Sequence, residues 1–136
     1  MSLQLTIVTP QGQAFAGRVD TVVLPGSEGD FGVLEGHERF LSALRIGSVS
    51  IQAEGATQWA AVSQGFADVS GEAVVLLVDK CQLAAEIETS KIEQSLASAE
   101  AALAELSASS DSDVQRRELE DTVERASVWL EVAGKR

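Results

Sequence analysis

Ala73-Val74-Val75-Leu76-Leu77-Val78 is a row of six apolar residues entered through the turn Ser70-Gly71. It reads as a strand, and its continuity predicts a central one covered on both faces. Phe66–Val69 and Trp59–Val62 before it read as two further strands interrupted at Gly65, and Glu54-Gly55 as a reversal. Val49 and Ile51 alternate with Ser48, Ser50 and Gln52, while Val19, Val22, Val23 and Leu24 form an apolar stretch that stops at Pro25-Gly26. At the start, Leu3, Leu5 and Ile7 alternate with Gln4 and Thr6, so one face can be buried and one wet, and Thr9-Pro10-Gln11-Gly12 reads as a turn. Short strands separated by glycine-bearing turns predict an antiparallel sandwich or barrel.

Beyond about residue 87 the period changes. Ile92, Leu96, Ala99, Leu103 and Leu106 follow four-three spacing, which places them on one stripe of a helix. Ser90-Lys91-Ile92-Glu93 fits a capping box at its start. The polar segment Ser107–Asp111 reads as a break, and Ser112-Asp113-Val114-Gln115 as a second capped start. Leu119, Val123, Ala126, Leu130 and Ala133 repeat the spacing, Asp121 and Arg125 form an i,i+4 pair on the outer face, and Gly134 ends the helix. Two such helices with a short link make an antiparallel hairpin. The first stripe is alanine-rich. At roughly 25 cal/mol per Å2 of apolar surface, small side chains give a modest drive to pack, so the hairpin needs a neighbour and reads as a detachable element. The expected division is residues 1–86 for the sandwich and 87–136 for the hairpin.

The formal net charge is −11, with −6 on residues 1–86 and −5 on residues 87–136. Neither half carries the clustered cations that nucleic acid or anionic lipid demands. With one cysteine, Cys81, and one histidine, His37, no internal disulfide and no Cys/His metal site can be assembled. No apolar run approaches the roughly 20 residues of a membrane span, and Met1-Ser2-Leu3-Gln4 lacks the features of a signal peptide. Direct membrane insertion, metal and cofactor are therefore not expected.

Gly26-Ser27-Glu28-Gly29-Asp30-Phe31-Gly32 is glycine-rich, but it lacks a closing Gly-Lys-Ser/Thr and carries two carboxylates that would repel phosphate. It reads as a reversal between strands. Glu28 and Asp30 could form a paired-carboxylate acid/base site, yet on a turn they read as solvated charges. His37 has no nucleophile with an oriented partner, so no catalytic residue is assigned. Cys81 reads as a buried hydrophobe closing a strand. Trp59 and Trp129 read as packing residues, with Trp129 a candidate partner anchor. From residues alone this is an acidic interaction protein.

The order of motifs adds a family. Thr9-Pro10, Phe15-Ala16-Gly17, Val19-Asp20, the stretch from Val23-Leu24-Pro25-Gly26-Ser27-Glu28 to Val33-Leu34, and Gly36-His37 closely resemble the epsilon subunit of F-type ATP synthases, called delta in mitochondria. Gly65-Phe66-Ala67-Asp68-Val69 and Leu77-Val78-Asp79 match that family's later strands. The resemblance implies a ten-stranded sandwich and a two-helix domain, in a rotor subunit without catalytic activity. It implies that the sandwich sits between the gamma subunit and the c-ring, peripheral at the cytoplasmic face of the bacterial inner membrane. Glu28, Gly29, Asp30 and Phe31 match the ring-facing loop, and His37 matches a histidine near the gamma contact.

In the family the hairpin is a switch that lies on the sandwich or extends toward the catalytic alpha and beta subunits and blocks ATP hydrolysis. The resemblance gives Arg116, Arg117 and Arg125 as inhibitory contacts, diluted by Glu118, Glu120, Asp121, Glu124 and Glu131. Some members bind ATP through Ile-Asp-x-x-Arg-Ala, where this chain has Ile87-Glu88-Thr89-Ser90-Lys91-Ile92. Ile87, Glu88 and Lys91 thus form at most a weak nucleotide site, since a lysine cannot reproduce the bidentate arginine fork. Glu35, Arg39 and Ile46 stand where the family often has proline. Two readings compete with the rotor subunit: a free-standing sandwich whose helices self-associate, and a hydrolase using Glu28, Asp30 and His37.

Overall fold

A computed structural model of the chain describes residues 2–106 and 113–135. Ten strands come first: β1 Leu3–Thr9, β2 Gly12–Val19, β3 Thr21–Gly26, β4 Gly29–Leu34, β5 His37–Leu44, β6 Gly47–Ala53, β7 Ala56–Val62, β8 Gly65–Gly71, β9 Ala73–Val78 and β10 Cys81–Leu83. A short 3-10 turn, Ala84–Glu86, leads to α1 Thr89–Leu106 and α2 Asp113–Ala133. The strand order is β10-β7-β6-β3-β5-β8-β9-β1-β2, with β4 on β3. β3 and β5 share a single pair, Gly26 with Leu44, and there the sheet folds over into two layers.

The alternation in β1 behaves as its sequence predicts. Leu3, Leu5 and Ile7 are fully buried, facing Val22, Leu24, Val49 and Ile51 across the layers. Such aliphatic packing is the main driving force of the domain. All pairings are antiparallel except β1 with β9, which run parallel.

Several expectations need correction. β9 is central, between β8 and β1, but it is not covered on both faces: Val74, Leu76 and Val78 are buried while Leu77 is 52% exposed. The strand ending at Leu24 continues through Pro25 and Gly26, because Pro25 lacks only a donor and its carbonyl still accepts the Arg45 amide. Of the glycine-rich stretch, only Ser27-Glu28 turns; Gly29–Leu34 is β4. Cys81 opens β10 rather than closing a strand. α1 begins at Thr89, with the Lys91 and Ile92 amides bonded to the Glu88 carbonyl, so Ser90 lies inside the helix and does not cap it. The expected break at Ser107–Asp111 and the start at Ser112 lie outside the described residues. Among the described residues no ion pair joins Asp121 to Arg125.

The hairpin lies on the sandwich. Trp129, Val132 and Ala133 of α2 are buried against Ile46, Ala61, Ala84 and Ile87, on the outer side of β6 and β7. The Lys135 Nζ stands 4.2 Å over the Trp59 ring. Past Ala133 the Gly134 amide bonds the Leu130 carbonyl and the Lys135 amide bonds that of Val132, ending the helix where the sequence predicts. This attachment leaves the other layer's outer face uncovered.

Candidate functional site

The first candidate region is the β3–β4 tip. β3 and β4 pair from Thr21 with Leu34 to Gly26 with Gly29, leaving Ser27 and Glu28 as a two-residue tip. Asp30 Oδ1 accepts from Arg45 Nη2 at 2.5 Å, an ion pair about half exposed. Phe31 turns inward and its ring lies 5.4 Å from that of Phe40, tilted by 59°, an edge-on contact that anchors the tip to β5. Of the four residues expected in this loop, Glu28, Gly29 and Asp30 are exposed and Phe31 is half-buried. Among the described residues no three His, Cys, Asp or Glu side chains stand together as a metal site would require.

The second region is the start of β5. His37 opens that strand and pairs with Gly71 of β8; the register then shifts before Phe40. Glu35, which stands where the family often has proline, accepts a hydrogen bond from the Ser2 amide at 3.0 Å, so Ser2 braces this turn.

Across the uncovered layer runs a feature that sequence reasoning missed. Ala43 pairs with Phe66, Phe66 with Leu77 and Leu77 with Val8, a row crossing β5, β8, β9 and β1. Leu41 stands one step along on the same face. Leu41, Phe66 and Leu77 are 69%, 53% and 52% exposed. Large apolar side chains gathered in one patch mark a contact surface. The signal in the sequence was Leu77 itself, whose parity along β9 sets it opposite the core.

The third region is a cleft of about 710 Å3 between the β1–β2 turn, β10 and the helices, lined in part by Gln13, Lys80, Cys81, Gln82, Ile92 and Arg125. Burial, and next the Glu86 carboxylate, push the Cys81 thiol up to about 12, so it is no nucleophile. The expected nucleotide residues are not gathered there. Ile87 is buried under α2, and Lys91 pairs with Glu88 at 3.3 Å on the surface. The three arginines also diverge. Arg116 bonds the Leu106 carbonyl at 3.3 Å and ties α2 to α1, Arg117 faces solvent, and Arg125 enters the cleft.

These features describe a ten-stranded sandwich with an exposed apolar band on one layer and a two-helix hairpin on the other. The sequence model of the ATP synthase delta/epsilon chain, beta-sandwich domain, matches residues 2–84, and the chain belongs to this family. It is 35% identical over 133 residues to the ATP synthase epsilon chain of Geotalea uraniireducens, spanning 98% of this chain and 94% of that one. With the ATP synthase epsilon chain of Nitratidesulfovibrio vulgaris it shares 47% identity over 87 residues, 64% of this chain and 65% of the other. Its fold is similar to a chain in the Euglena gracilis mitochondrial ATP synthase structure of OSCP, F1 and c-ring, at a TM-score of 0.78 and 25% identity over 97% of this chain and 81% of that one.

Proposed function

We propose that the chain is a non-catalytic rotor subunit that couples gamma to the c-ring of an ATP synthase, peripheral at the cytoplasmic face of a bacterial plasma membrane. The observation that carries the reading is the apolar band of Leu41, Phe66 and Leu77 beside the acidic tip. One strand, β5, begins at His37, carries Leu41 midway and ends against the tip at Leu44. At about 3.4 Å per residue it links the two proposed contacts over roughly 24 Å. The band and His37 take gamma. Glu28, Gly29, Asp30 and Phe31 take polar loops of the ring, where complementary charge fixes register.

In this reading residues 1–86 dock and residues 87–136 regulate. The hairpin rests on β6 and β7, away from the band, so it can leave without disturbing the proposed gamma contact. Arg116, Arg117 and Arg125 are divided among three environments, which supports weak inhibition of ATP hydrolysis through the alpha and beta subunits. The pairing of Lys91 with Glu88 supports weak nucleotide binding or none. A self-associating free module is not favoured: the C-terminal end of α2, through Trp129, Val132 and Ala133, already packs on its own sheet, and relatives across the full length are synthase chains.

Co-purification tests the assignment. The tagged chain should retain gamma and c subunits; recovery of nothing but further copies of itself would refute it. Deleting residues 87–136 should raise ATP hydrolysis of the complex only modestly, and a large rise would overturn the weak-inhibition reading.

A further inference from the structure

Pro25 lies between two charges. On one side it pairs with Asp30 of β4; on the other its carbonyl accepts the Arg45 amide at 2.9 Å. Residues opposite one another in a sheet share a face, so Asp30 and Arg45 flank the proline ring on the same side. The Arg45 Nη2 reaches across to Asp30 Oδ1, and Pro25 is buried beneath the bridge. Gly47 makes room for this. A Cβ there would lie 2.7 Å from the Pro25 Cβ and 3.4 Å from Arg45 Nη1. A further tie runs from the Ser27 amide to the Ala43 carbonyl at 3.0 Å. The tip is therefore bound to the end of β5 by two backbone hydrogen bonds and one charge-assisted bond.

At 46% and 57% exposure the ion pair contributes little to stability. What it does is hold the Asp30 carboxylate in one direction beside Glu28, which lowers the entropy lost when a partner engages it.

We infer that Arg45 belongs to the docking surface of the Glu28–Phe31 tip, positioning Asp30 and donating hydrogen bonds of its own. This rests on the proposed docking of that tip on the ring. The surface then presents Glu28 as an exposed carboxylate and Asp30–Arg45 as a fixed dipole. It fits a polar loop that brings a cation or amide donor to Glu28 and a carbonyl or amide oxygen to Arg45. A purely basic loop is repelled by the guanidinium, so the arginine narrows the choice of partner.

The test is binding of the full-length chain to a gamma–c-ring assembly stripped of this subunit. Arg45→Met keeps the stem over Pro25 and removes the charge; affinity should fall roughly tenfold, with circular dichroism unchanged. Arg45→Met combined with Asp30→Asn should lose less than the sum of the two single losses, because both changes break the same pair. Should the methionine variant fail to fold, Arg45→Lys decides, with an intermediate loss expected since lysine keeps charge but not the fork. Wild-type affinity in the Arg45 variants, or additive losses in the double variant, overturns the role of Arg45 while Glu28→Gln still weakens binding. Failure of the wild-type chain to bind overturns the docking reading itself and this inference with it.

Discussion

The Trp129 indole Nε1 donates to Gln82 Oε1 at 2.8 Å, joining α2 to the short strand β10 across 47 positions of sequence. Trp129 is 4% exposed and sits among Ala61, Ala84 and Val132, so one side chain supplies both apolar area and a directional bond to the hairpin's seat. A tryptophan buried with its N–H satisfied is the arrangement that costs most to truncate.

Trp129→Phe should therefore cost the hairpin's docking about 1 kcal/mol, and Trp129→Ala about 3–5 kcal/mol. Hydrogen exchange separates the effects. Amides of α2 should lose protection while those of β1 and β9 keep theirs, because the inter-layer core contains no residue of α2. Equal loss in helices and sheet would show that the hairpin does not open by itself.

Much of this was legible because periodicity reports burial. Leu3, Leu5 and Ile7 gave β1, and the two four-three stripes gave the helices. What misled was Leu77: a leucine left exposed makes a strand with one open face look like one covered on both. β2, β4 and β5 escaped because their apolar residues are few or interrupted, as where Glu38 and Arg39 fall at the register shift of β5. The Asp30–Arg45 bridge was invisible because it spans 15 positions and depends on β3 lying between its partners. The Ser90 capping box failed because the 3-10 turn delivers the chain to the helix at Thr89, leaving the serine a residue too late.

Gly65 starts β8 where the backbone of β9 comes closest. A Cβ there would stand 2.1 Å from the Leu77 carbonyl oxygen and 2.9 Å from the Val78 Cα, both main-chain atoms that cannot swing aside. Gly65→Ala should cost about 2–4 kcal/mol in urea denaturation. Gly17→Ala is the control, since its Cβ meets only the Phe15 ring at 3.5 Å. Similar midpoints for the two variants would contradict the close approach.

The apolar band should behave as a contact surface rather than as core. Phe66 and Leu77 are already about half exposed, so Phe66→Ser with Leu77→Ser removes little buried area on folding. Stability should change by less than about 1 kcal/mol. Retention of gamma in a pull-down should nevertheless fall at least roughly tenfold, because residues at the centre of a contact carry most of its energy. A large loss of stability, or undiminished retention, would move the partner elsewhere.

Cys81 should give the fold a dependence on alkaline pH. Its thiol rises from an ordinary 9.0 to about 12, through burial first and the Glu86 charge second. The folded chain thus holds this proton more tightly than the unfolded chain does. The contribution is complete below the unfolded value of 9.0, declines as pH rises, and is lost once the folded value near 12 is passed. Between about pH 8 and about pH 10.5 the urea midpoint of the wild-type chain should fall more than that of Cys81→Ala, which has no thiol to titrate. Labelling by a thiol reagent at about pH 8 should also be slow in the native chain and fast in urea, since the thiolate is the reacting form. Equal slopes for the two chains, together with rapid native labelling, would show that Cys81 ionises as freely in the fold as outside it.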